Sequence, residues 1–212
     1  MTRPSDDLVF YTNPMSRGRI VRWMLEEVGQ PYRSVLLEYG AAMSAPDYLA
    51  INPMGKVPAI VHRGVTITES AAICAYLADA FPDAGLAPAP GDPLRGPYYR
   101  WLFFAAGPVE AAVSAKALNL LAPPERAAMA GYGTFEKMTD TLERAVGDCA
   151  PWLLGERFSA ADVYVGSQVV FGIQFGTLPE RPAFVDYANR LRAREAHARA
   201  SALDDAGVTQ KA

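Results

Sequence analysis

The chain has 212 residues, 50% of them hydrophobic and 20% charged, with a formal net charge of -3 and a pI near 5.4. That length suits one large domain or, better, two small ones, since domains run to roughly 100–150 residues, and the apolar content excludes global disorder. The acidic balance offers no general attraction to phosphate backbones, which excludes nucleic acid as a partner, and no run reaches the roughly 18 apolar residues that a membrane span needs.

The opening Met1-Thr2-Arg3-Pro4-Ser5-Asp6-Asp7 lacks the apolar core of a signal peptide, so the cytoplasm is the expected location. Leu8–Thr12 is short, apolar and rich in strand formers, and Asn13-Pro14 ends it with a turn signal. Ile20, Val21, Met24, Leu25 and Val28 then recur on one helical stripe that Gly29 and Pro31 stop. Residues 32–37 read as a second strand, and the connection is long enough for a parallel crossover, so the chain opens as a βαβ unit. After a loop through Pro46 and Asn52-Pro53, residues 58–61 and Val65–Thr68 flank Arg63-Gly64 as a tight antiparallel hairpin. A helix follows over Ser70–Ala80. Cys74 lies in it and Cys149 far beyond, both in apolar helical contexts, which speaks against a disulfide framework. With His62 and His197 as the only histidines, no zinc site of ordinary spacing can be assembled, and no metal is expected.

Pro82, Pro88, Pro90, Pro93 and Pro97, interleaved with Gly85, Gly91 and Gly96, break up regular structure and mark a linker. The domains are accordingly 1–82, a linker at 83–97, and 98–212. Beyond the linker the pattern is helical: 98–121 with a kink at Gly107-Pro108, 124–146, 159–175 and 183–194. Ser159 and Asp162 are spaced as an N-cap and its acidic N3 partner, with Phe158 placed to staple onto Val163, a structural capping box. The Arg-rich stretch 190–199 reads as the solvated face of a C-terminal helix.

This order of elements resembles that of the cytosolic glutathione S-transferase family, its bacterial members most of all. The resemblance covers nearly the whole chain. It is carried by Asn52-Pro53-Met54-Gly55-Lys56-Val57-Pro58-Ala59-Ile60, by Thr68-Glu69-Ser70-Ala71-Ala72-Ile73, and by Phe158-Ser159-Ala160-Ala161-Asp162. It implies α/β plus all-α: an N-terminal thioredoxin-like domain followed by an all-helical C-terminal domain, with glutathione as co-substrate. It also makes Val57-Pro58 a cis bond that leaves the Val57 amide and carbonyl to pair with the cysteinyl part of an extended tripeptide. Glu69-Ser70 opens a helix whose amides and dipole suit a carboxylate, and the resemblance assigns that site to the γ-glutamyl end, with Glu69 meeting its ammonium. Lys56 is placed at the tripeptide backbone or the glycyl carboxylate, or is a plain exposed loop lysine.

Glutathione chemistry needs the thiolate, because the free thiol has a pKa of about 8.5. In this family a hydroxyl, or in some classes a cysteine, stabilises the sulfur just after the first strand. Residues 10–19 hold no cysteine. Ser16, at the expected helix start, is the first candidate, and Tyr11, near the end of the strand, is the second, since Arg17-Gly18-Arg19 is also similar to tyrosine-using classes. Aligning the arginine of the serine-using classes with Arg19 puts their serine at or beside Met15, so Asn13 and Thr12 stay open as donors. The resemblance further implies an electrophile pocket between the halves, under the first-strand loop with Met15 and against the aromatic helix with Tyr98, Trp101 and Phe104, most of that aromatic cluster being core. The expected reaction transfers glutathione to a small apolar electrophile or reduces a peroxide, in a homodimer. Glutathione-dependent isomerisation is a second reading, although Met15-Ser16 lacks the Ser-Ser-Cys cluster of the maleylacetoacetate isomerase branch. A non-catalytic regulatory relative is a third.

Overall fold

The structure, a computed structural model, describes residues 7–209. The opening residues 1–6, read above for the lack of a signal-peptide core, and 210–212, the end of the expected helical domain, lie outside the described residues. The chain forms two compact units, one running to Ala84 and resuming at Arg194, the other Gly85–Ala193.

The first unit contains β1 (Leu8–Thr12), α1 (Gly18–Val28), β2 (Arg33–Leu36), a single-turn α2 (Pro46–Leu49), β3 (Ala59–His62), β4 (Val65–Thr68) and α3 (Ser70–Ala80). The sheet order is β2-β1-β3-β4, with β1 parallel to β2 and antiparallel to β3, and β3 antiparallel to β4. Gly29 stops α1 as expected: its φ of 70° is left-handed and its N–H returns to Leu25 O at 3.0 Å. Arg63 and Gly64 both take positive φ, 51° and 79°, as a two-residue hairpin with the sheet's twist requires. Two short pieces depart from the reading here: α2, where a loop was expected and Pro46 has a φ already set for the first helical position, and a 3-10 turn over Pro82–Ala84 at the start of the expected linker. Phe10, Ile20, Met24, Leu25, Ile60, Ile73 and Leu77 are fully buried between the sheet and the α1/α3 layer.

The second unit is helical: α4 (Arg95–Phe104), a π-turn over Ala105–Val109, α5 (Glu110–Ala117), α6 (Phe135–Gly147), α7 (Ala160–Gln174) and α8 (Pro182–Arg192). The helix expected to begin at Tyr98 starts inside the predicted linker. Asp92 organises that start: its carboxylate accepts from Leu94 N at 2.8 Å and its carbonyl from Arg95 N at 2.9 Å. The kink expected at Gly107-Pro108 is the π-turn, where the ring of Pro108 is accommodated by widening rather than breaking the helix. The single helix expected over 124–146 is a 3-10 turn, Pro124–Met129, and then α6. The first piece ends where Ala130 turns extended, Gly133, with φ 67°, turns the connection, and Thr134 caps the second by accepting from Lys137 N at 3.2 Å.

The capping box at α7 forms. Asp162 is buried and accepts from Ser159 N at 3.0 Å, from Leu153 N at 2.8 Å and from the Tyr187 hydroxyl at 2.8 Å. A further cis bond, Ala150–Pro151, precedes this segment.

α9 (Glu195–Thr209) returns to the first unit and packs along α1. The sequence reading kept these residues in the 98–212 domain and took the arginines of 190–199 as solvated. Instead Arg194 is bidentate on Glu27 at 2.7 Å, Arg199 reaches Glu26 at 3.2 Å, and the His197 ring stands edge-on to Trp23 at 4.8 Å. Partners that far apart in the chain leave no local signature. Among the described residues, no helix is long and apolar enough to cross a membrane.

Candidate functional site

Strand register gathers three sequence motifs at one end of the sheet. Tyr11 of β1 pairs with Ala59 of β3, and Ala59 pairs with Thr68 of β4. The β1–α1 loop, the entry to β3 at Val57-Pro58 and the exit of β4 at Glu69-Ser70 therefore lie side by side.

The Val57–Pro58 bond is cis, as expected. Pro58 is buried and Val57 half-buried, and because both ladders begin at Ala59, the Val57 amide and carbonyl lie outside them. The preceding turn is fixed by two donors on one acceptor: the Tyr48 hydroxyl at 2.6 Å and Asn52 Nδ2 at 2.7 Å both give to Lys56 O. Burial pushes the Tyr48 hydroxyl up to about 12, which keeps it a donor at neutral pH. The Lys56 side chain is exposed. Glu69 is exposed with φ 66°, a left-handed backbone uncommon outside glycine, and its carbonyl accepts from Ile73 N at 2.8 Å to begin α3. Ser70 is the first residue of α3 and is largely buried. An exposed carboxylate beside a helix's positive end suits a ligand carrying an ammonium and a carboxylate together.

The β1–α1 loop is tightly bonded within itself. Ser16 Oγ donates to Asn13 O at 2.6 Å and accepts from Gly18 N at 2.9 Å. Asn13 is buried, gives its amide to Leu37 O at 2.8 Å and accepts from Met15 N at 2.9 Å. Met15 O takes the Tyr39 hydroxyl at 3.0 Å, while the Met15 side chain is 68% exposed. Thr12 Oγ1 is buried without a hydrogen-bond partner among the described residues, and it presses on Gly18 where any Cβ would collide with it. Alternation along β1 puts Thr12 on the same face as Phe10, whose ring lies under the Arg22 guanidinium of α1. Tyr11 takes the opposite face, its ring 5.7 Å from that of Tyr48. The two sulfur-contact candidates, Ser16 and Tyr11, thus belong to different sides of the strand.

Residues 15–80 match the sequence profile described as glutathione S-transferase, N-terminal domain. A maleylacetoacetate isomerase of Pseudomonas aeruginosa is 31% identical over 166 residues, 74% of this chain and 76% of that protein. The chain belongs to the glutathione S-transferase family. Shorter matches include glutathione S-transferase GstA of Escherichia coli O157:H7, 33% identical over 56% of this chain, and protein LigF of Sphingobium sp., 39% identical over 34% of it. The matched stretches span 58% and 28% of those two relatives. Among solved structures, a glutathione transferase from Methylococcus capsulatus superposes with a TM-score of 0.77 at 27% identity, covering 93% of this chain and 98% of that one. A transferase homologue from Sulfitobacter with bound glutathione gives 0.72 at 27% identity, covering 94% and 98%.

In this glutathione S-transferase-family chain the aromatic helix needs correcting. Tyr98 has no exposed surface and Trp101 only 9%, with the Arg100 guanidinium 4.2 Å from the Trp101 ring, so both expected electrophile contacts are packing residues of the second unit. Phe104 is half-exposed against Trp101, at 5.8 Å between rings. Cys74 is wholly buried, which pushes its thiol far up and leaves it inert. Among the described residues, no group of three or more His, Cys, Asp or Glu can hold a metal. The reading missed Tyr48, Tyr39 and Arg19 as loop anchors, whose bonds go to main-chain carbonyls.

Proposed function

We propose that the chain binds glutathione at the sheet end formed by the β1–α1 loop, Val57-Pro58 and Glu69-Ser70, and activates its thiol for attack on a small apolar electrophile or a peroxide. The carrying observation is that both ladders begin at Ala59, which leaves the Val57 amide and carbonyl outside them at the sheet end where β4 exits into α3. In this reading Val57 pairs with the cysteinyl backbone like a short antiparallel strand. Ser70 and the α3 amides take the γ-glutamyl carboxylate, Glu69 the ammonium, and Lys56 the glycyl end. Ser16 donates to the sulfur, with Tyr11 as the alternative, and Met15 offers apolar surface to the second substrate. The Sulfitobacter homologue with bound glutathione supports the ligand. The protein works in the cytoplasm as a homodimer, which light scattering in solution tests.

The deciding experiment is a titration of glutathione with the protein from pH 5 to about 9, following thiolate absorbance against the free-thiol pKa of ~8.5. Saturable binding with the apparent pKa lowered by about one unit or more supports the transferase reading. Binding without a shift leaves a glutathione-binding relative whose chemistry lies elsewhere, and no binding at millimolar glutathione favours the regulatory reading. The match to maleylacetoacetate isomerase favours isomerisation as the second enzymatic reading. It predicts glutathione-dependent cis–trans conversion of maleylacetoacetate without net consumption of glutathione.

A further inference from the structure

The β1–α1 loop is anchored from a second direction, by the far end of the chain. Arg19, in the first turn of α1, donates through Nε to Pro14 O at 2.6 Å and through Nη2 to Asp205 Oδ1 at 2.7 Å. One planar guanidinium thereby ties a carbonyl of the loop to α9, a double contact that the single ammonium of a lysine would not hold in fixed geometry. Two residues on, Gly207 meets the same loop: a Cβ built there would lie 3.2 Å from Pro14 Cγ, so the bare Cα faces the proline ring closely. Asp204, adjacent to Asp205, is buried on Arg22, one turn along α1 from Arg19, which sets the register of α9 against α1. The contacts are therefore consecutive along both helices, and those of Arg19 and Gly207 converge on Pro14.

We infer that Asp205 and Gly207 are positioning residues for the loop that faces the thiol, acting on it through Arg19 and Pro14. The inference rests on the proposed glutathione site, because that site gives the position of Ser16 its meaning. Asp205 is 67% exposed, so its ion pair contributes little to stability and the effect is geometric. Ser16 is two residues from Pro14 and hangs on Asn13, so a shift of the Pro14 carbonyl moves the hydroxyl relative to the sulfur, and small displacements of that kind are costly to catalysis.

The test uses full-length Asp205→Ala and Gly207→Val, with backbone amide exchange and the glutathione titration measured on each. The expected result for Asp205→Ala is exchange about three-fold faster over residues 13–18 and unchanged over 57–60 and 69–73. Turnover should fall about ten-fold with the glutathione KM held within about two-fold, and the bound thiol pKa should rise by about half a unit or more. Asp205→Glu should restore all three, and Gly207→Val should reproduce the loss by pushing on Pro14. Wild-type exchange over 13–18 in both variants overturns the inference whether or not glutathione binds. Faster exchange with an unaltered thiol pKa and turnover also overturns it. A wild-type protein that binds glutathione without lowering its pKa defeats the proposed function instead, and the exchange result then decides the clamp by itself.

Discussion

Arg22 Nε donates to Asp204 Oδ1 across 2.7 Å with only 7% and 1% of the two side chains exposed, joining α1 to the C-terminal helix inside the first unit. Arg22 Nη1 also reaches the hydroxyls of Tyr32 and Ser34 at 3.3 and 3.2 Å, and the guanidinium lies 5.2 Å from the Phe10 ring. Asp204 Oδ2 has no partner among the described residues, and burial pushes this carboxyl up against the opposing pull of Arg22. Removing one partner strands the other charge, at a cost of about 3–5 kcal/mol. Asp204→Ala and Arg22→Ala should each lose that much in urea unfolding. The apolar pair Arg22→Met with Asp204→Leu should regain most of it. A double variant as unstable as either single one would show that the contact itself, rather than the stranded charge, dominates.

Gly18 is required by contact rather than by conformation, since its backbone is ordinary helix while its Cα lies against Thr12 Oγ1 and, less closely, Ser16 Oγ. Thr12 is wholly buried, so it has no room to retreat. Gly18→Ala should destabilise the protein by about 1–3 kcal/mol despite alanine's better helix propensity. Adding Thr12→Ala should recover at least half of that loss, a coupling read from a double-mutant cycle of unfolding free energies. Additive losses would place the clash elsewhere.

Local signals made β1, α1 with its Gly29 stop, the Arg63-Gly64 hairpin and the Ser159/Asp162 capping box legible, because each is decided by residues a few positions apart. The cis bond at Val57–Pro58 was available only through the family resemblance, since an isolated X-Pro pair is usually trans. The association of α9 with α1 was not legible, because Arg22 and Asp204 are separated by nearly the whole chain. Helical periodicity marked the stripe of Tyr98 and Trp101 as apolar, yet it could not say which face the fold would bury completely. In the β1–α1 loop, Ser16 Oγ and Arg19 Nε both donate to backbone carbonyls, whose direction depends on the path of the loop and cannot be read from residue type.

His62 gives a pH dependence with a definite sign. Its ring is buried, its Nδ1 lies 2.9 Å from the Tyr76 hydroxyl, and Phe81 packs 5.2 Å away. Burial first, and then the nearby Arg63 charge, lower its pKa below the ordinary histidine value. The folded state therefore holds the neutral ring more firmly than the unfolded chain does. The stability it contributes is fully present above the unfolded value of ~6.5 and is lost as pH falls through the folded value. Melting temperatures between pH 8 and 5 should fall in that direction, and the slope should flatten in His62→Phe. An unchanged slope in that variant would assign the dependence to other groups.

Ser16 has one hydroxyl proton, and it is committed to Asn13 O at 2.6 Å. Turning that proton toward a bound thiolate need not strand the carbonyl, because Asn13 O also accepts from Ser16 N at 3.1 Å. The amide of Gly18, 2.9 Å from Oγ, can continue to donate through the turn and so polarises the hydroxyl as it serves the sulfur. Ser16→Ala should therefore lower turnover by roughly 100-fold and raise the pKa of the bound thiol, as loss of one donor to a developing anion does. Ser16→Thr should keep most of the activity. Tyr11 faces Tyr48 on the other side of β1, so Tyr11→Phe should leave turnover within about two-fold, well under the loss expected for a donor to the anion. The reverse pattern, an inert Ser16→Ala beside an inactive Tyr11→Phe, would move the donor to Tyr11. It would also require β1 to present its Tyr48 face to the ligand, leaving Ser16 as a plain cap on α1.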